Sequence, residues 1–210
     1  MTRVPTAYGE VTVAFDGPER GPLLLLAHGA GSDLDHPFMA DVAGGLGERG
    51  LYVCRFNFPY TEAGRKAPDR APVLEEAYLG VIEAVRGRRR RFFVGGKSMG
   101  GRIAAHVAPR VPGLSGLVFL GYPLHPPGRP DRLRDEVLGE AGVPMLFVEG
   151  TRDPFCPLET LETVRAGLDD ADLFVIDDGD HSFNVRKASG RTTADARGEL
   201  MDAVARWVKG

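Results

Sequence analysis

The sequence predicts an α/β fold in which helices cover both faces of a mostly parallel central sheet. Short apolar runs alternate along the chain with longer segments of helical period. The apolar runs do not alternate polar with apolar residues, as expected for strands that are covered on both faces. Such an order of strands and helices connects parallel strands through right-handed crossovers. We therefore expect a three-layer architecture, with residues 1–210 forming one domain.

Seven strands are predicted from runs rich in leucine, valine and phenylalanine. In order they are EVTVAF at 10–15, LLLLAH at 23–28, LYVCRF at 51–56, RFFVG at 91–95, GLVFL at 116–120, PMLFVE at 144–149 and LFVI at 173–176. Segments of helical period lie between several of them, at 38–49, 72–85, 99–108, 131–141, 158–167 and 193–209. Chemistry in such sheets gathers at the carboxyl ends of the strands. We therefore look for site residues in the loops that follow the strands.

The composition excludes several classes of function. The chain has 43% hydrophobic and 26% charged residues and a net charge of −3, which indicates a globular protein without a nucleic-acid or membrane partner. The basic cluster at 86–91 is interpreted as a solvated connection. The two cysteines fit a reducing compartment, and the longest aliphatic run, 23–27, is too short to span a bilayer. Since the N-terminus also lacks the apolar core of a signal peptide, we expect a cytoplasmic protein.

The pentapeptide Gly96-Lys97-Ser98-Met99-Gly100 forms a G-x-S-x-G pattern between a predicted strand and a predicted helix. A chain that passes from strand to helix within two residues holds the central serine in a strained conformation, and the flanking glycines leave room for that bend. The serine hydroxyl then stands at the positive end of a helix dipole. This context predicts Ser98 as a nucleophile.

A serine hydroxyl needs a base and an orienting acid to attack a carbonyl group near neutral pH. His181 follows the last predicted strand, and Asp153 follows the strand at 144–149. The chain order serine, aspartate, histidine is the one expected for a nucleophile at a strand–helix turn. Weaker alternatives for the acid are Asp180 and Glu149. The remaining histidines are less well placed for the base: His28, His36, His106 and His125. Among them, His125 is the next candidate.

A tetrahedral intermediate also needs backbone donors for its oxyanion. One predicted donor is the N–H of Met99, and the other comes from Ala30, with Gly31 as the alternative. Asp33, Asp35 and His36 match no strong metal-ligand spacing and are interpreted as solvated loop residues. We expect neither a metal nor an organic cofactor.

Four motifs together resemble the α/β-hydrolase superfamily: HGAG at 28–31, GGKSMGGR at 95–102, GTRDPF at 150–155 and DHSF at 180–183. They are similar to small bacterial hydrolases near the dienelactone hydrolases, and to a group that includes a subunit of the chromatin-regulating NSL complex and testis-expressed hydrolase-like proteins. The resemblance implies an α/β-hydrolase fold with Ser98 as nucleophile, His181 as base and Asp153 as its orienter. Dienelactone hydrolases carry a cysteine nucleophile, so their substrate is not carried over.

The segment between 120 and 143 is too short for a substantial cap, which predicts an open, shallow site for small or exposed acyl groups. Tyr122, His125 and Phe155 are the expected pocket-lining residues. The leading hypothesis is a serine hydrolase of carboxylic esters or thioesters that acts on a small-molecule substrate. The alternative hypothesis is a catalytically weak or inactive interaction module that keeps the same fold. The sequence does not reveal the oligomeric state.

Overall fold

Eight strands form one sheet in the computed structural model, which describes residues 1–89 and 91–210. They are β1 (Thr2–Thr6), β2 (Gly9–Asp16), β3 (Leu23–Ala27), β4 (Tyr52–Phe56), β5 (Phe92–Lys97), β6 (Gly116–Leu120), β7 (Met145–Gly150) and β8 (Ala171–Ile176). Their spatial order is β1-β2-β4-β3-β5-β6-β7-β8. The strands from β4 to β8 in this order are parallel, whereas β2 is antiparallel to both β1 and β4. The predicted mostly parallel sheet is confirmed.

Helices pack on both faces of the sheet, as predicted. They are α1 (Pro37–Glu48), α2 (Pro59–Glu62), α3 (Ala71–Arg86), α4 (Met99–Val107), α5 (Glu136–Glu140), α6 (Leu158–Arg165) and α7 (Thr193–Lys209). The core on one face includes side chains of α1 and α7, and the core on the other includes side chains of α3 and α4. In the described part of the chain, no helix has the length and apolar character needed to cross a membrane.

Strand β3 shows why the central strands are uninterrupted apolar runs. Leu23 and Leu25 pack into the core under α3 and α4, whereas Leu24 and Leu26 pack into the core under α1 and α7. Successive strand side chains point to opposite faces, so a polar residue at any of the four positions would be buried. Each leucine is fully buried, which stabilises the fold by about 1.5–3 kcal/mol per side chain.

One predicted helix is wrong over its first half. The segment predicted as a helix over 131–141 is helical only from Glu136 to Glu140. The residues before it follow an irregular path, in which the N–H of Arg134 donates to the carbonyl of Leu124 at 2.8 Å and the hydroxyl of Tyr122 donates to the carbonyl of Arg134 at 2.9 Å. These contacts take the place of helical hydrogen bonds at Arg134.

Two short elements were not predicted. Strand β1 lies at the sheet edge, contains Pro5 and buries only Val4, so it lacks the apolar pattern of the central strands. Helix α2 is a single turn that starts at Pro59, too short to show a period.

The ends of the other predicted elements differ from the observed ends by at most two residues. The predicted solvated connection at 86–91 falls partly on residue 90, which lies outside the described residues.

The Tyr78 hydroxyl joins strands β3 and β5 inside the core. It accepts the N–H of Gly95 at 3.0 Å, and its oxygen lies 2.8 Å from the Gly95 carbonyl and 3.2 Å from the Leu25 carbonyl. A Cβ at Gly95 would stand 2.0 Å from the Val118 carbonyl oxygen. The middle of β5 lies directly before the G-x-S-x-G turn. It therefore depends on the missing side chain of Gly95, next to β6, and on the buried hydroxyl of Tyr78.

We expect Tyr78→Phe to lower the free energy of unfolding by about 1–3 kcal/mol, because buried backbone groups of β3 and β5 lose their partner. Urea unfolding followed by circular dichroism measures this change. Tyr8→Phe is the matched control, since Tyr8 is half exposed. Equal urea midpoints for the two variants would contradict the prediction.

Candidate active site

Ser98 forms the turn between β5 and α4 in a conformation that few residues adopt. Its φ of 52° and ψ of −115° lie in the left-handed half of backbone space, where a residue other than glycine is strained by about 1–3 kcal/mol. The strand ends at Lys97 and the helix begins at Met99. Ser98 alone therefore makes the turn, which raises its side chain above the carboxyl end of β5.

The glycines on both sides of Ser98 allow α4 to touch the end of β3. A Cβ at Gly96 would stand 2.4 Å from the carbonyl oxygen of Ala27, and one at Gly100 would stand 2.3 Å from the same oxygen. Both distances are far below van der Waals contact, and the opposing atom is backbone. The glycines therefore provide steric clearance for the turn.

The structure brings together the three side chains that the sequence predicts for catalysis. His181 Nε2 lies 2.9 Å from Ser98 Oγ, and His181 Nδ1 lies 2.6 Å from Asp153 Oδ2. The serine follows β5, the aspartate follows β7 and the histidine follows β8, so all three lie at one edge of the sheet. A carboxylate accepts a hydrogen bond from the Nδ1–H group of the imidazole. The unprotonated Nε2 then accepts a hydrogen bond from the serine hydroxyl.

The Asp153 carboxylate is held between two donors. Its side chain is 1% exposed, and its Oδ1 accepts the N–H of Phe155 at 2.8 Å while Oδ2 faces His181. Rotation of the carboxylate would leave a buried group without a partner, which is costly. The Phe155 ring packs edge-on against the imidazole, with the two centroids 4.8 Å apart. These contacts fix the orientation of His181.

The loop that carries His181 is anchored at two left-handed residues, Asp178 (φ 55°) and Phe183 (φ 60°). Phe183 is fully buried and stacks on Phe38 at a centroid distance of 5.8 Å. The Asp178 carboxylate accepts the backbone N–H of Arg186 at 2.7 Å and pairs with its guanidinium. These hydrogen bonds from Arg186 lower the pKa of Asp178 from its ordinary value. Both ends of the loop are therefore tied to the body of the protein.

Arg152 connects the loop of the acid to the loop of the base. Its Nε donates to the carbonyl of Asp178 at 2.9 Å, and its Nη2 donates to the carbonyl of Asn184 at 3.1 Å. The two accepting residues lie on either side of His181, and Arg152 directly precedes Asp153. The sequence analysis missed this residue, although it stands in the quoted GTRDPF motif.

The alternative acid Asp180 has a local structural role. Its Oδ1 accepts the N–H of Ser182 at 2.8 Å and the N–H of Asn184 at 2.9 Å, which closes the turn around His181. These backbone contacts place it in a turn of the type that aspartate commonly stabilises. Within the described residues, the Asp180 carboxylate forms no hydrogen bond with the imidazole of His181.

Two buried ionisable residues, Glu149 and Lys97, lie near the candidate site, and the sequence analysis did not single out Lys97. The second alternative acid, Glu149, is fully buried, and burial together with the nearby Asp153 raises its pKa. Lys97 Nζ is buried without a hydrogen-bond partner among the described residues. Burial lowers the pKa of Lys97 to about 8, while Asp153, Glu149 and Asp180 act in the opposite direction. The signal for Lys97 was a charged residue at the end of a buried strand, next to the nucleophile.

His28 anchors the loop that follows β3. It is fully buried, its Nε2 accepts the N–H of Phe58 at 3.3 Å, and its Nδ1 lies 2.8 Å from the carbonyl of Gly29. Burial lowers the pKa of His28. A neutral imidazole that donates from Nδ1 satisfies both contacts and presents Ala30 next to Ser98. The Tyr60 hydroxyl donates to the same carbonyl of Gly29 at 3.5 Å.

A cavity of about 310 Å³ opens beside Ser98. Two of the three predicted pocket residues, His125 and Phe155, line it, as do Ala30 and Met99. The lining residues that the sequence analysis missed include two arginines: Arg102, four residues after the nucleophile, and Arg134, in the segment that was predicted to be helical.

The prediction that Tyr122 lines the pocket is wrong. Tyr122 is fully buried, and its ring packs edge-on against Phe119 with centroids 5.0 Å apart. Gly121 has a left-handed φ of 71°, and its N–H donates to the carbonyl of Val148 at 2.9 Å. The chain therefore stays on the sheet for one more residue, and the Tyr122 side chain enters the core.

The loop residues considered as metal ligands hold the start of α1. Asp33 Oδ1 accepts the N–H of Asp35 at 2.9 Å, and His36 Nδ1 accepts the N–H of Phe38 at 3.3 Å. Across residues 1–89 and 91–210, no group of three or more histidine, cysteine, aspartate or glutamate side chains could hold a metal ion.

The fold of this chain is similar to that of several solved structures. A serine hydrolase without a lid from Xanthomonas campestris has a TM-score of 0.73 at 22% identity, over 98% of this chain and 93% of that chain. Dienelactone hydrolase from Anabaena variabilis has a TM-score of 0.75 at 18% identity, over 98% and 94%. Est1E from Butyrivibrio proteoclasticus, solved with ferulic acid bound, has a TM-score of 0.71 at 15% identity, over 98% and 100%.

These structures confirm the predicted fold without a large cap. In the described chain, the connection from β6 to α5, residues 121–135, contains no helix or strand. By sequence, the alpha/beta hydrolase domain matches residues 20–209. The match covers most of the chain, and this protein therefore belongs to the alpha/beta hydrolase family.

Proposed function

We propose that this protein is a serine hydrolase that cleaves carboxylic ester or thioester bonds of small or exposed acyl substrates. The observation that carries the proposal is the unbroken hydrogen-bond chain from Ser98 through His181 to Asp153. This series of hydrogen bonds ends at the Ser98 hydroxyl, in the wall of an open cavity. A strained nucleophile, an oriented base and a buried acid in this arrangement have the geometry of acyl transfer.

In the first half of the reaction, Ser98 Oγ attacks the carbonyl carbon and its proton passes to His181 Nε2. Asp153 stabilises the resulting imidazolium through Nδ1–H. The tetrahedral intermediate then collapses, the bond to the leaving oxygen or sulfur breaks, and His181 returns the proton to the leaving group. In the second half, water replaces the serine hydroxyl as the nucleophile, and the same residues release the acid and restore Ser98.

The oxyanion is assigned to the backbone N–H groups of Met99 and Ala30. Met99 is the first residue of α4, and the first amides of a helix have no acceptor within the helix. Ala30 lines the same cavity, whereas Gly31 does not belong to the described cavity wall, so we favour Ala30 over Gly31. Loss of one such donor raises the barrier by about 3 kcal/mol.

Lys97 is assigned a positioning role. A Cβ at Gly121 would stand 3.0 Å from Lys97 Nζ and 3.4 Å from His181 Cε1, so the ammonium lies close to the ring. The Asp153 carboxylate attracts this charge, and the charge repels the positive charge that the imidazole gains when it accepts the serine proton. Because the pKa of Lys97 is about 8, the ammonium is present at neutral pH.

A fluorophosphonate probe tests the nucleophile. We expect the probe to label the wild-type protein and to fail to label Ser98→Ala, because only a serine activated by a base attacks phosphorus at a useful rate. Ser189→Ala is the control, since the Ser189 hydroxyl donates to the carbonyl of Arg186 at 2.7 Å and, within the described residues, forms no hydrogen bond with His181. Labelling of folded Ser98→Ala, or none of the wild type, would reject the proposal and favour an interaction module.

Lys97→Met tests the positioning role through the pH dependence of kcat/KM on a 4-nitrophenyl ester. We expect the acid limb to move to higher pH by about one unit, the order expected for a unit charge several ångströms away. The profiles should converge above pH 8, because the pKa of Lys97 is about 8 and the wild-type ammonium is then lost. The exposed Lys187→Met serves as the control. Superimposable profiles at acidic pH would show that Lys97 does not act on the base.

A further inference from the structure

Two arginines face the cavity beside Ser98, and neither has a role in the proposed chemistry. Arg102 lies on α4, one turn after the nucleophile, where its N–H donates to the carbonyl of Ser98 at 3.1 Å. Arg134 lies in the segment between β6 and α5. Its backbone is fixed there by the contacts with Leu124 and Tyr122. Two separate elements thus bring guanidinium groups to one cavity.

The charges of these arginines are unmatched. Among the residues that the structure describes, no carboxylate forms an ion pair with Arg102 or Arg134, and Arg102 Nε is buried without a hydrogen-bond partner. The acidic residue in the described cavity wall is Asp69, which pairs with Arg65 at 2.7 Å. The cavity therefore carries a net positive charge beside the nucleophile.

The two guanidinium groups also act on each other. Partial burial and the neighbouring charge of Arg102 lower the pKa of Arg134 from its ordinary value. Arginine nevertheless stays protonated, so both groups remain cations in a partly desolvated wall. Guanidinium groups offer several fixed N–H donors, which match the oxygens of a carboxylate or a phosphate. An anion between them would pair with both charges and offset the repulsion.

We propose that Arg102 and Arg134 form an anion subsite, and that the preferred substrates are esters or thioesters whose acyl chain ends in a carboxylate or phosphate-type group. This inference rests on the proposed serine hydrolase function and names its substrate class. The cavity of about 310 Å³ suits a short acyl chain, with its carbonyl at Ser98 and its anionic end at the two arginines. The leaving group then extends through the open side of the site.

The test compares the 4-nitrophenyl monoester of adipic acid with its methyl ester, a neutral substrate of nearly the same shape. We expect the wild type to favour the anionic ester by about tenfold to a hundredfold in kcat/KM, as charged hydrogen bonds imply. Arg102→Met and Arg134→Met should each lower this ratio, and the double variant should bring it close to one. Arg132→Met is the matched control, because Arg132 is exposed and is absent from the described cavity wall. It should keep the wild-type ratio.

A third substrate, in which a phosphonate replaces the free carboxylate, identifies the anion, since the faster of the two anionic esters marks the preferred end group. Equal kcat/KM for all three esters in the wild type would overturn the subsite and leave the hydrolase intact. A ratio that survives in the double variant would do the same.

Failure of Ser98 to react with the fluorophosphonate is a separate outcome, which rejects the hydrolase. Calorimetric titration with adipate then tests the subsite alone. Binding to the wild type that is lost in the folded double variant supports it, and no binding to the wild type overturns it.

Discussion

The candidate site depends on a contact between two stretches of backbone. Helix α4 rests on the Ala27 carbonyl at the end of β3, because Gly96 and Gly100 place no side chain between them. This approach forces β5 to become α4 within one residue, and Ser98 takes up the bend in a left-handed conformation. The surrounding core is fully buried, so relaxing the strain at Ser98 would require separating packed elements. The serine is therefore held in place before any substrate arrives.

The base and the acid are positioned differently from the nucleophile. Their strands end in loops, and a loop orients a side chain well only when its own polar groups are bound. Arg152 meets this need by binding carbonyls on both sides of His181 while it stands next to Asp153. Phe183 adds a buried anchor to the same loop. A rigid sheet edge and two loops joined by one guanidinium together keep the hydrogen-bond chain short.

Much of this arrangement could be predicted because it follows from local rules. Uninterrupted apolar runs revealed the parallel sheet, and the rule on strand ends selected Ser98, Asp153 and His181. Two of the failures, at Tyr122 and before α5, have a common cause, since they depend on contacts between separate segments. Tyr122 enters the core because the Gly121 N–H binds the Val148 carbonyl on β7. The irregular path before α5, and with it the position of Arg134, depends on hydrogen bonds to Tyr122 and Leu124. No period or motif records such contacts.

Within the described residues, the site gathers three features that would each destabilise an ordinary fold: a strained serine, a buried lysine without a hydrogen-bond partner and two arginines without ion-paired carboxylates. Elsewhere on the protein, arginines commonly pair with acids, as Arg49 does with Asp202 and Arg110 with Glu76. A protein that needed only stability would pair or remove such charges at the cavity as well. Under the proposed function, an anionic acyl group in the cavity would compensate the two arginines. The charges that cost stability would then be the same charges that recognise the substrate.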